Sequence, residues 1–345
     1  MNIYQSDGYL NMSAIIENNY TFNFLVGGRG IGKTYGAIKY CIEHGIKFIY
    51  MRRTDTIIQT IVNSELSPVK PVMDDMGKQS AVEKINKYVT GFYEAEKNED
   101  GTTKPIGDPI GIAVGLSIMG NMRGWSAADY TVLINDEFIP EKHEHTLKNE
   151  SSVFFNAYET INRNRELQGR PPLKVLFLAN ANDMTNDYFL ELNLINIVDT
   201  MQIKNQTMRF DKNRGIAIYL LHDSPISEEK KETALYKLTC GTMYSNMAID
   251  NDFVYEDRSR IDSRPLIEYK ALVRVGELVI YKHKTGTHYY ACLHLTGSCP
   301  TYGITDVELK RFTYKYIIYG PRICQKILFL KPIHVKHYSG NIINN

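Results

Sequence analysis

The sequence lacks the features that would place this chain in a membrane or in an oxidising compartment. No apolar run approaches the roughly 18 residues that a membrane-spanning helix needs, and no basic stretch with an apolar core opens the chain. The five cysteines are widely spaced and include no C-x-x-C pair, which argues against a disulfide framework and against a zinc site. We therefore expect a soluble intracellular protein that does not enter a membrane.

The overall composition is ordinary, but the charge is unevenly distributed. With 43% hydrophobic and 23% charged residues, the 345-residue chain is typical of a globular protein and long enough for two domains. Residues 253–345 contain 14 lysines and arginines against 7 aspartates and glutamates, and they carry ten of the 24 tyrosines. Such a basic segment is typical of a nucleic-acid-binding module. A basic solvated surface without a partner is the competing interpretation.

The most informative stretch is F-N-F-L-V-G-G-R-G-I-G-K-T, from Phe22 to Thr34. Gly27, Gly32, Lys33 and Thr34 complete the P-loop pattern G-x-x-x-x-G-K-[ST], between a strand-like and a helix-compatible run. Glycines let several backbone N–H groups converge on phosphate oxygens, and a helix start adds its positive dipole end. Lys33 is predicted to bind the β- and γ-phosphates and Thr34 to bind Mg²⁺. The predicted nucleotide-binding residues of this loop are Gly27, Gly28, Arg29, Gly30, Ile31, Gly32, Lys33 and Thr34.

A second motif, Y-T-V-L-I-N-D-E-F-I, places two adjacent carboxylates at the end of an apolar strand. Asp136 is predicted to hold Mg²⁺ together with Thr34, usually through water, and Glu137 to orient and polarise the water that attacks the γ-phosphate. An Asp-Glu pair after a strand is common by itself. Downstream of a P-loop, it is typical of a Walker B motif.

Further polar residues stand where predicted strands end, which is the ligand-binding edge of an open α/β sheet. Asn180 follows the apolar run L-K-V-L-F-L-A and is our candidate for a residue that senses the nucleotide, with Asn182 second. Arg52 and Arg53 follow K-F-I-Y-M, and they could face the phosphates or form a solvated strand end. Arg123 lies in the glycine-punctuated segment G-N-M-R-G-W, which we expect near the nucleotide or at a subunit boundary.

The alternation of strands and helices predicts an α/β fold with a mostly parallel sheet. We expect a P-loop ATPase domain over residues 1–222 with a lid at about 186–222, a helical linker over 223–252, and a small basic α/β domain over 253–345. A GTPase is disfavoured because the guanine-specific motif N-K-x-D is missing: Asn86-Lys87 is followed by Tyr88-Val89.

These motifs, in their order, resemble the DNA encapsidation ATPases of phi29-like small bacteriophages, which are related to large terminases. The resemblance lies in F-L-V-G-G-R-G-I-G-K-T, F-I-Y-M-R-R, L-I-N-D-E-F-I, N-R-N-R-E and L-F-L-A-N-A within the first 190 residues; beyond them it rests on length and layout. It implies an additional-strand (ASCE) P-loop ATPase that uses ATP and Mg²⁺. Such a protein works as a ring, usually a pentamer, at the portal vertex of a procapsid in the host cytoplasm, and moves double-stranded DNA inward. Whether an RNA scaffold joins the ring to the portal stays open.

The resemblance also implies roles for individual arginines. Arg163, the first arginine of N-R-N-R-E, would be an arginine finger that reaches the γ-phosphate bound by a neighbouring subunit, with Arg165 as the second candidate. Arg123 would contact the neighbour's nucleotide as well, and the role of Arg29 stays open.

The family's C-terminal domain resembles a ribonuclease-H-type nuclease that has lost activity. A two-metal nuclease needs three or four converging carboxylates, and the carboxylates available after residue 252 show no member embedded in a strand core. We therefore expect contacts with DNA and procapsid there rather than cleavage. Two alternatives remain: a full terminase with an active nuclease, and a regulatory P-loop protein that does no work on DNA. The C-terminal carboxylates are Glu256, Asp257, Asp262, Glu268, Glu277, Asp306 and Glu308.

Overall fold

The chain divides into two compact units, residues 1–191 with 196–254 and residues 192–195 with 255–345. The stretch 223–252, predicted as a linker, falls in the first of these units. No helix in the described parts of the chain is long and apolar enough to cross a membrane. The computed structural model describes residues 3–61, 65–99, 102–122, 127–141, 144, 146–184, 186–222, 224–245, 248–249, 253, 266–276, 278–286, 289–292, 295–303, 305–316 and 327–330.

The first unit is built on one large sheet with helices along the chain between its strands. Its strands are β1 (Phe22–Gly27), β2 (Phe48–Arg52), β3 (Gln79–Lys84), β4 (Thr90–Lys97), β5 (Thr103–Gly115), β6 (Val132–Asp136), β7 (Lys174–Ala179), β8 (Met208–Asp211) and β9 (Ile216–Leu221). The helices up to residue 245 are α1 (Met12–Ile16), α2 (Lys33–Glu43), α3 (Asp55–Ile61), α4 (Lys70–Asp75), α5 (Glu150–Asn162), α6 (Asp187–Glu191), α7 (Ile195–Ile203), α8 (Pro225–Lys231), α9 (Ala234–Leu238) and α10 (Met243–Ser245).

The strand order in this sheet is β3-β4-β5-β2-β6-β7-β1-β9-β8. In this order, the neighbouring strands from β5 to β9 pair in parallel. On one side β3 and β4 continue the sheet by antiparallel pairing, and on the other side β8 does so. The predicted mostly parallel α/β sheet is confirmed. β7 lies between β1, which leads into the P-loop, and β6, which ends in Asp136.

The central strands are apolar because both faces of the sheet are covered. β6 and β9 are buried along their whole length, as expected for parallel strands packed between helices. Successive side chains point to opposite faces. On one face, the rings of Phe24 and Phe177 stack with centroids 4.3 Å apart. On the other, Leu25 and Leu176 pack in a cluster that includes Ile38 of α2.

The hairpin that we predicted as part of a lid belongs to this sheet instead. β8 and β9 do form an antiparallel pair, but β9 also pairs in parallel with β1 over the whole of that strand. Because the apolar run I-A-I-Y-L-L is buried at every position, the hydrophobic effect favours its place in the core over a place above the nucleotide. The predicted lid is therefore wrong for residues 208–221.

The second unit contains a five-stranded sheet of order β13-β10-β11-β12-β14. Its residues Val273, Leu278, Ile280 and Phe312 belong to one buried cluster, so α11 packs on the sheet. This unit is α/β, as expected; its likeness to a ribonuclease-H-type nuclease stays a prediction. Its elements are β10 (Tyr269–Val275), β11 (Leu278–His283), β12 (Tyr289–Cys292), β13 (Thr301–Tyr302), α11 (Asp306–Tyr316) and β14 (Ile327–Leu330).

Candidate active site

The P-loop connects the carboxyl end of β1 to the first turn of α2. Gly30 and Gly32 have φ angles of 70° and 85°, in the left-handed region that glycine adopts without strain. Gly28 is needed for a different reason, because the backbone of Ala248 approaches it closely. A Cβ atom on residue 28 would lie 2.5 Å from the carbonyl oxygen of Ala248. The loop therefore needs its glycines for backbone geometry and for packing, and it precedes a helix N-terminus that favours anions.

The ammonium group of Lys33 lies inside this loop. Its Nζ donates to the carbonyl oxygens of Gly27, at 2.8 Å, and Gly28, at 2.7 Å, and to Oδ1 of Asn180, at 3.2 Å. Burial lowers the pKa of Lys33 to about 7, against the opposing charge of Asp136 and with help from the positive charges of Lys230 and Arg29. Such a lysine gains from an anionic ligand, because phosphate oxygens would replace neutral acceptors with charged ones.

Thr34 and Asp136 meet at the ends of α2 and β6. The Thr34 hydroxyl donates to Oδ1 of Asp136 at 3.0 Å, and the hydroxyl of Tyr50 donates to Oδ2 at 2.8 Å. Burial and the Asp136 charge raise the pKa of Tyr50 well above its ordinary value, so its hydroxyl keeps its proton. A hydroxyl and a carboxylate are hard oxygen donors of the kind that Mg²⁺ prefers. These two residues therefore fit the predicted metal role.

Glu137 follows directly and forms an ion pair with Arg52 at the end of β2. The backbone of Glu137 is left-handed, with φ of 58°, a conformation that is unusual for a residue with a side chain. Burial raises the pKa of Glu137, although Arg52 opposes the change. The predicted catalytic carboxylate of Glu137 is thus paired with the largely buried guanidinium of Arg52, close to Asp136.

Arg53, the next residue, has a structural environment. Its side chain is 2% exposed, and its Nε lies 2.7 Å from Oε2 of Glu150, which is also buried. It also pairs with Glu144 at 3.1 Å and donates to the carbonyl oxygen of Glu137 at 3.0 Å. Arg53 is therefore neither part of a solvated strand end nor free to face a phosphate, which corrects both interpretations for this residue. Arg52 faces the candidate catalytic carboxylate, and Arg53 fixes the backbone on which that carboxylate stands.

A cavity of about 940 Å³ opens beside the P-loop. Gly30, Gly32 and Gly36 contribute backbone to its wall, and α1 and the residues before it close the other side. Its lining combines aromatic rings with four carboxylates. The lining side chains that carry this character are Tyr9, Tyr35, Tyr40, His44, Asp7, Glu17, Glu43 and Asp75.

The comparison with protein families agrees with this geometry. Residues 5–275 match the family model described as Podovirus DNA encapsidation protein (Gp16). The chain belongs to this family. It is 27% identical over 261 residues to the DNA packaging protein of Bacillus phage phi29; the aligned region covers 74% of this chain and 69% of the relative. It is 29% identical over 248 residues to the DNA packaging protein of Bacillus phage B103, covering 70% and 67% of the two chains.

Solved structures show that the fold is shared within this group. A chain of the bacteriophage phi29 viral genome packaging motor assembly superposes with a TM-score of 0.67 at 21% identity, covering 97% of this chain and 98% of that one. A chain of the phi28 gp11 DNA packaging motor gives 0.62 at 16% identity, with 98% coverage of both.

The two finger candidates of this family member lie at the amino edge of the sheet, opposite the P-loop. Arg163 and Asn164 follow α5 with φ angles of 44° and 56°. The Arg163 side chain is exposed and has no hydrogen bond or ion pair to any residue that the structure describes. Arg165 is 2% exposed and donates to the carbonyl oxygens of Ala127 and Tyr130, at 2.8 and 2.7 Å. Arg165 is thus fixed within its own chain, whereas Arg163 projects outward.

One predicted residue, Asn182, does not join the site, and others lie outside the part of the chain that the structure describes. Asn182 is buried and donates to the carbonyl oxygen of Ile139 at 3.4 Å, whereas Asn180 contacts Lys33. Arg123 lies outside the described residues, as do Glu256, Asp257, Asp262 and Glu277. Within the described ranges, no group of three or more His, Cys, Asp or Glu side chains is arranged to hold a metal ion.

Sequence reasoning missed four contributors to the site. Tyr50 supplies the second hydrogen bond to Asp136, and Glu141 pairs with Arg29. Lys230 donates to the carbonyl oxygen of Arg29, and the Arg29 N–H donates to Ala248 at 3.1 Å. Tyr50 carried no signal of its own, because its contact with Asp136 depends on the pairing of β2 with β6. Lys230 and Ala248 carried none, because their role depends on contacts between distant parts of the chain.

Proposed function

We propose that this protein hydrolyses ATP to drive double-stranded DNA into a viral procapsid, as one subunit of a ring-shaped packaging motor of the additional-strand ATPase type. The observation that carries the proposal is the meeting of Lys33, the Thr34–Asp136 pair and Glu137 at one edge of the sheet. Membership in the encapsidation family, and the relatives named DNA packaging proteins, support DNA as the load.

In this proposal the P-loop binds the triphosphate and the adjacent cavity receives the base and ribose. Lys33 exchanges the carbonyl oxygens of Gly27 and Gly28 for phosphate oxygens, which are stronger acceptors because they are charged. Asn180 keeps contact with Lys33 and thereby with the state of the γ-phosphate. The glycine-rich turn and the start of α2 supply backbone N–H groups.

Thr34 and Asp136 would hold Mg²⁺, which supplies positive charge to the phosphate oxygens when bound. Glu137 accepts a hydrogen bond from the attacking water and takes up its proton as the new bond to the γ-phosphorus forms, while the bond from the γ-phosphorus to the bridging oxygen breaks and ADP leaves. For this, Glu137 must leave Arg52. Tyr50 and Arg53 hold the two carboxylate-bearing residues in place throughout.

The site is completed by Arg163 of a neighbouring subunit. The P-loop and Arg163 lie at opposite ends of strands of five or six residues, which separates the two edges by about 17–20 Å. In this proposal Arg163 therefore serves the nucleotide of the next subunit rather than that of its own chain. An arginine supplied in this way raises the hydrolysis rate of other NTPases by a factor of about 10³–10⁵. The active form would therefore be a ring, which we expect to be a pentamer.

DNA contact in this proposal is sequence-independent and rests on phosphates. The basic C-terminal unit would bind DNA and procapsid without cleaving DNA, and the motor would stand at the portal vertex in the host cytoplasm. An RNA scaffold between ring and portal is compatible with this scheme.

Mixing two inactive variants tests the shared site. Glu137→Gln subunits keep Arg163, and Arg163→Ala subunits keep Glu137, so a mixed ring contains interfaces with both groups. We expect each variant alone to bind nucleotide without hydrolysing it, and mixtures to recover ATPase activity. Mixtures that recover nothing, or monomers that hydrolyse ATP at the full rate, would refute the shared site. Cleavage of plasmid DNA in the presence of Mn²⁺ would instead favour an active nuclease.

A further inference from the structure

A second lysine, Lys230 of α8, lies against the P-loop from outside the Walker motifs. Its Nζ donates to the carbonyl oxygen of Arg29 and would be 3.2 Å from a Cβ atom placed on Gly30. The same ammonium lies 5.0 Å from the ring centroid of Tyr236. Lys230 therefore stands over the turn of the P-loop, on a helix that is more than one hundred residues away in sequence.

The environment of Lys230 is unfavourable for a lone cation. Burial and the positive charge of Arg29 both lower its pKa, and its charge lowers the pKa of Lys33 in turn. Among the residues that the structure describes, Arg29 has Glu141 as its ion-pair partner, whereas Lys230 has no carboxylate within ion-pair distance. Of the three cations that converge on this loop, Arg29 has Glu141 and Lys33 has Asp136 nearby, whereas burial and Arg29 are unfavourable for a charge on Lys230. An anionic ligand would relieve this arrangement at Lys230.

The hydrogen bonds of Lys230 repeat those of Lys33. Each ammonium donates to carbonyl oxygens of the loop: Lys33 to Gly27 and Gly28, and Lys230 to Arg29. Neutral carbonyl oxygens are weaker acceptors than phosphate oxygens. Both lysines can therefore exchange a loop carbonyl for a phosphate when nucleotide arrives.

We propose that Lys230 is a second phosphate-binding lysine of this site, which contacts the terminal phosphate of a nucleoside triphosphate. The inference rests on the proposed ATPase function and goes beyond it, because it gives residues 224–249 a direct contact with the nucleotide. The same segment already contacts the loop elsewhere, where Ala248 accepts a hydrogen bond from the Arg29 N–H at 3.1 Å. Presence or loss of the terminal phosphate is thereby transmitted to α8 and the residues after it.

The first experiment measures protection of lysines from acetylation. The full-length protein is treated with an amine-acetylating reagent alone, with ADP and Mg²⁺, or with adenylyl-imidodiphosphate and Mg²⁺, and modified lysines are quantified by mass spectrometry. We expect the triphosphate analogue to slow acetylation of Lys230 at least fivefold more than ADP does. Lys231, whose Nζ pairs with Glu228 at 2.7 Å, is the internal reference and should react equally in all three samples.

Lys33 separates failure of the inference from failure of the proposed function. If neither ligand protects Lys33, the P-loop does not bind nucleotide and the ATPase proposal itself fails. If Lys33 is protected while Lys230 reacts at one rate in all three samples, only the role of Lys230 is overturned.

The second experiment compares affinities of variants. Lys230→Ala should weaken binding of the triphosphate analogue about tenfold, the loss expected for one charge-assisted contact, with little change for ADP. Lys230→Arg should restore most of the difference, and Lys231→Ala should bind both ligands like the unaltered protein. A lysine that merely tethers α8 to the loop would instead alter both affinities equally, or neither, and either outcome would overturn the proposal.

Discussion

The two edges of the large sheet use their cations differently. At the amino edge, Arg165 and Lys174 donate to backbone carbonyl oxygens: Arg165 to Ala127 and Tyr130, and Lys174 to Ile16 and Asn18. At the carboxyl edge, the arginines pair with glutamates: Arg29 with Glu141, Arg52 with Glu137, and Arg53 with Glu150.

The difference separates structural from functional charge. The carbonyl oxygens that Arg165 and Lys174 bind lie away from the P-loop, so no phosphate oxygen competes for these two cations, unlike the loop carbonyls that Lys33 and Lys230 bind. Charges of both signs at the carboxyl edge can exchange partners when a triphosphate and a cation arrive, because the ligand supplies both signs as well. Arg165 and Lys174 therefore hold the fold, whereas the charges at the carboxyl edge are able to change partners.

The largest effect should come from the carboxylate that must exchange partners. We expect Glu137→Gln to reduce ATP turnover by about 10²–10⁴, the range for loss of a general base, while nucleotide affinity is retained. Steady-state phosphate release and a fluorescent nucleotide titration measure the two quantities. Glu159→Gln, an exposed position on α5, is the control. Full turnover by Glu137→Gln would show that another residue positions the water.

Arg53 is the exception at the carboxyl edge, and its replacement tests the structural side of the comparison. Arg53→Met leaves Glu150 buried without a cation, which we expect to destabilise the first unit by about 3–5 kcal/mol. Urea unfolding followed by fluorescence measures the loss. The double variant Arg53→Met/Glu150→Gln should recover part of it, because the uncompensated charge is gone. An unchanged unfolding midpoint in the single variant would mean that water reaches Glu150 and that the pair is not buried in solution.

Replacing the two arginines of the amino edge, Arg163 and Arg165, should change the free energy of unfolding by different amounts. Arg165→Met removes the donor for the carbonyls of Ala127 and Tyr130, and we expect a loss of about 1–3 kcal/mol, equal with and without nucleotide. Arg163→Met, at an exposed side chain, should stay within about 0.5 kcal/mol of the unaltered protein. Thermal melting of both variants provides the measurement. A larger loss for Arg163 than for Arg165 would reverse their assignment.

A small loss of stability that depends on the ligand should appear at Tyr50. Tyr50→Phe removes one hydrogen bond from Asp136, which we expect to lower the free energy of unfolding by about 1 kcal/mol without nucleotide. The difference should shrink with Mg²⁺ and a triphosphate, since the cation then compensates the carboxylate charge. Melting curves in both conditions measure this. A stability difference between Tyr50→Phe and the unaltered protein that grows on ligand binding would instead mean that Tyr50 helps to bind Mg²⁺ or the triphosphate.

Local sequence was sufficient for the parts of the site that lie within one strand–loop–helix. The glycines of the P-loop, Lys33, Thr34 and the Asp136-Glu137 pair could be predicted because their geometry follows from neighbours in the chain. Asn180 could be predicted from its place after an apolar strand. The roles of Tyr50 and Lys230 could not, because each depends on which strand or helix folds beside the loop.

The type of fold could also be predicted from local sequence, but the arrangement of its strands could not. Apolar runs alternating with helical patterns indicated the parallel sheet, but strand order does not follow from a pattern. β9 was misjudged because a hairpin is equally compatible with a lid and with a sheet edge. Its unbroken apolar run, I-A-I-Y-L-L, was the signal for a buried parallel strand.

The place of β9 beside β1 also sets an order in time. The P-loop motif is complete in sequence at Thr34, yet the strand that leads into it pairs with β7 and β9, and a Cβ atom placed on Gly27 would lie 2.8 Å from Cβ of Leu221. A ribosome that has just made the motif has therefore made none of the strands that flank it. The strand pairing that supports the P-loop can therefore form only after residue 221 has been synthesised.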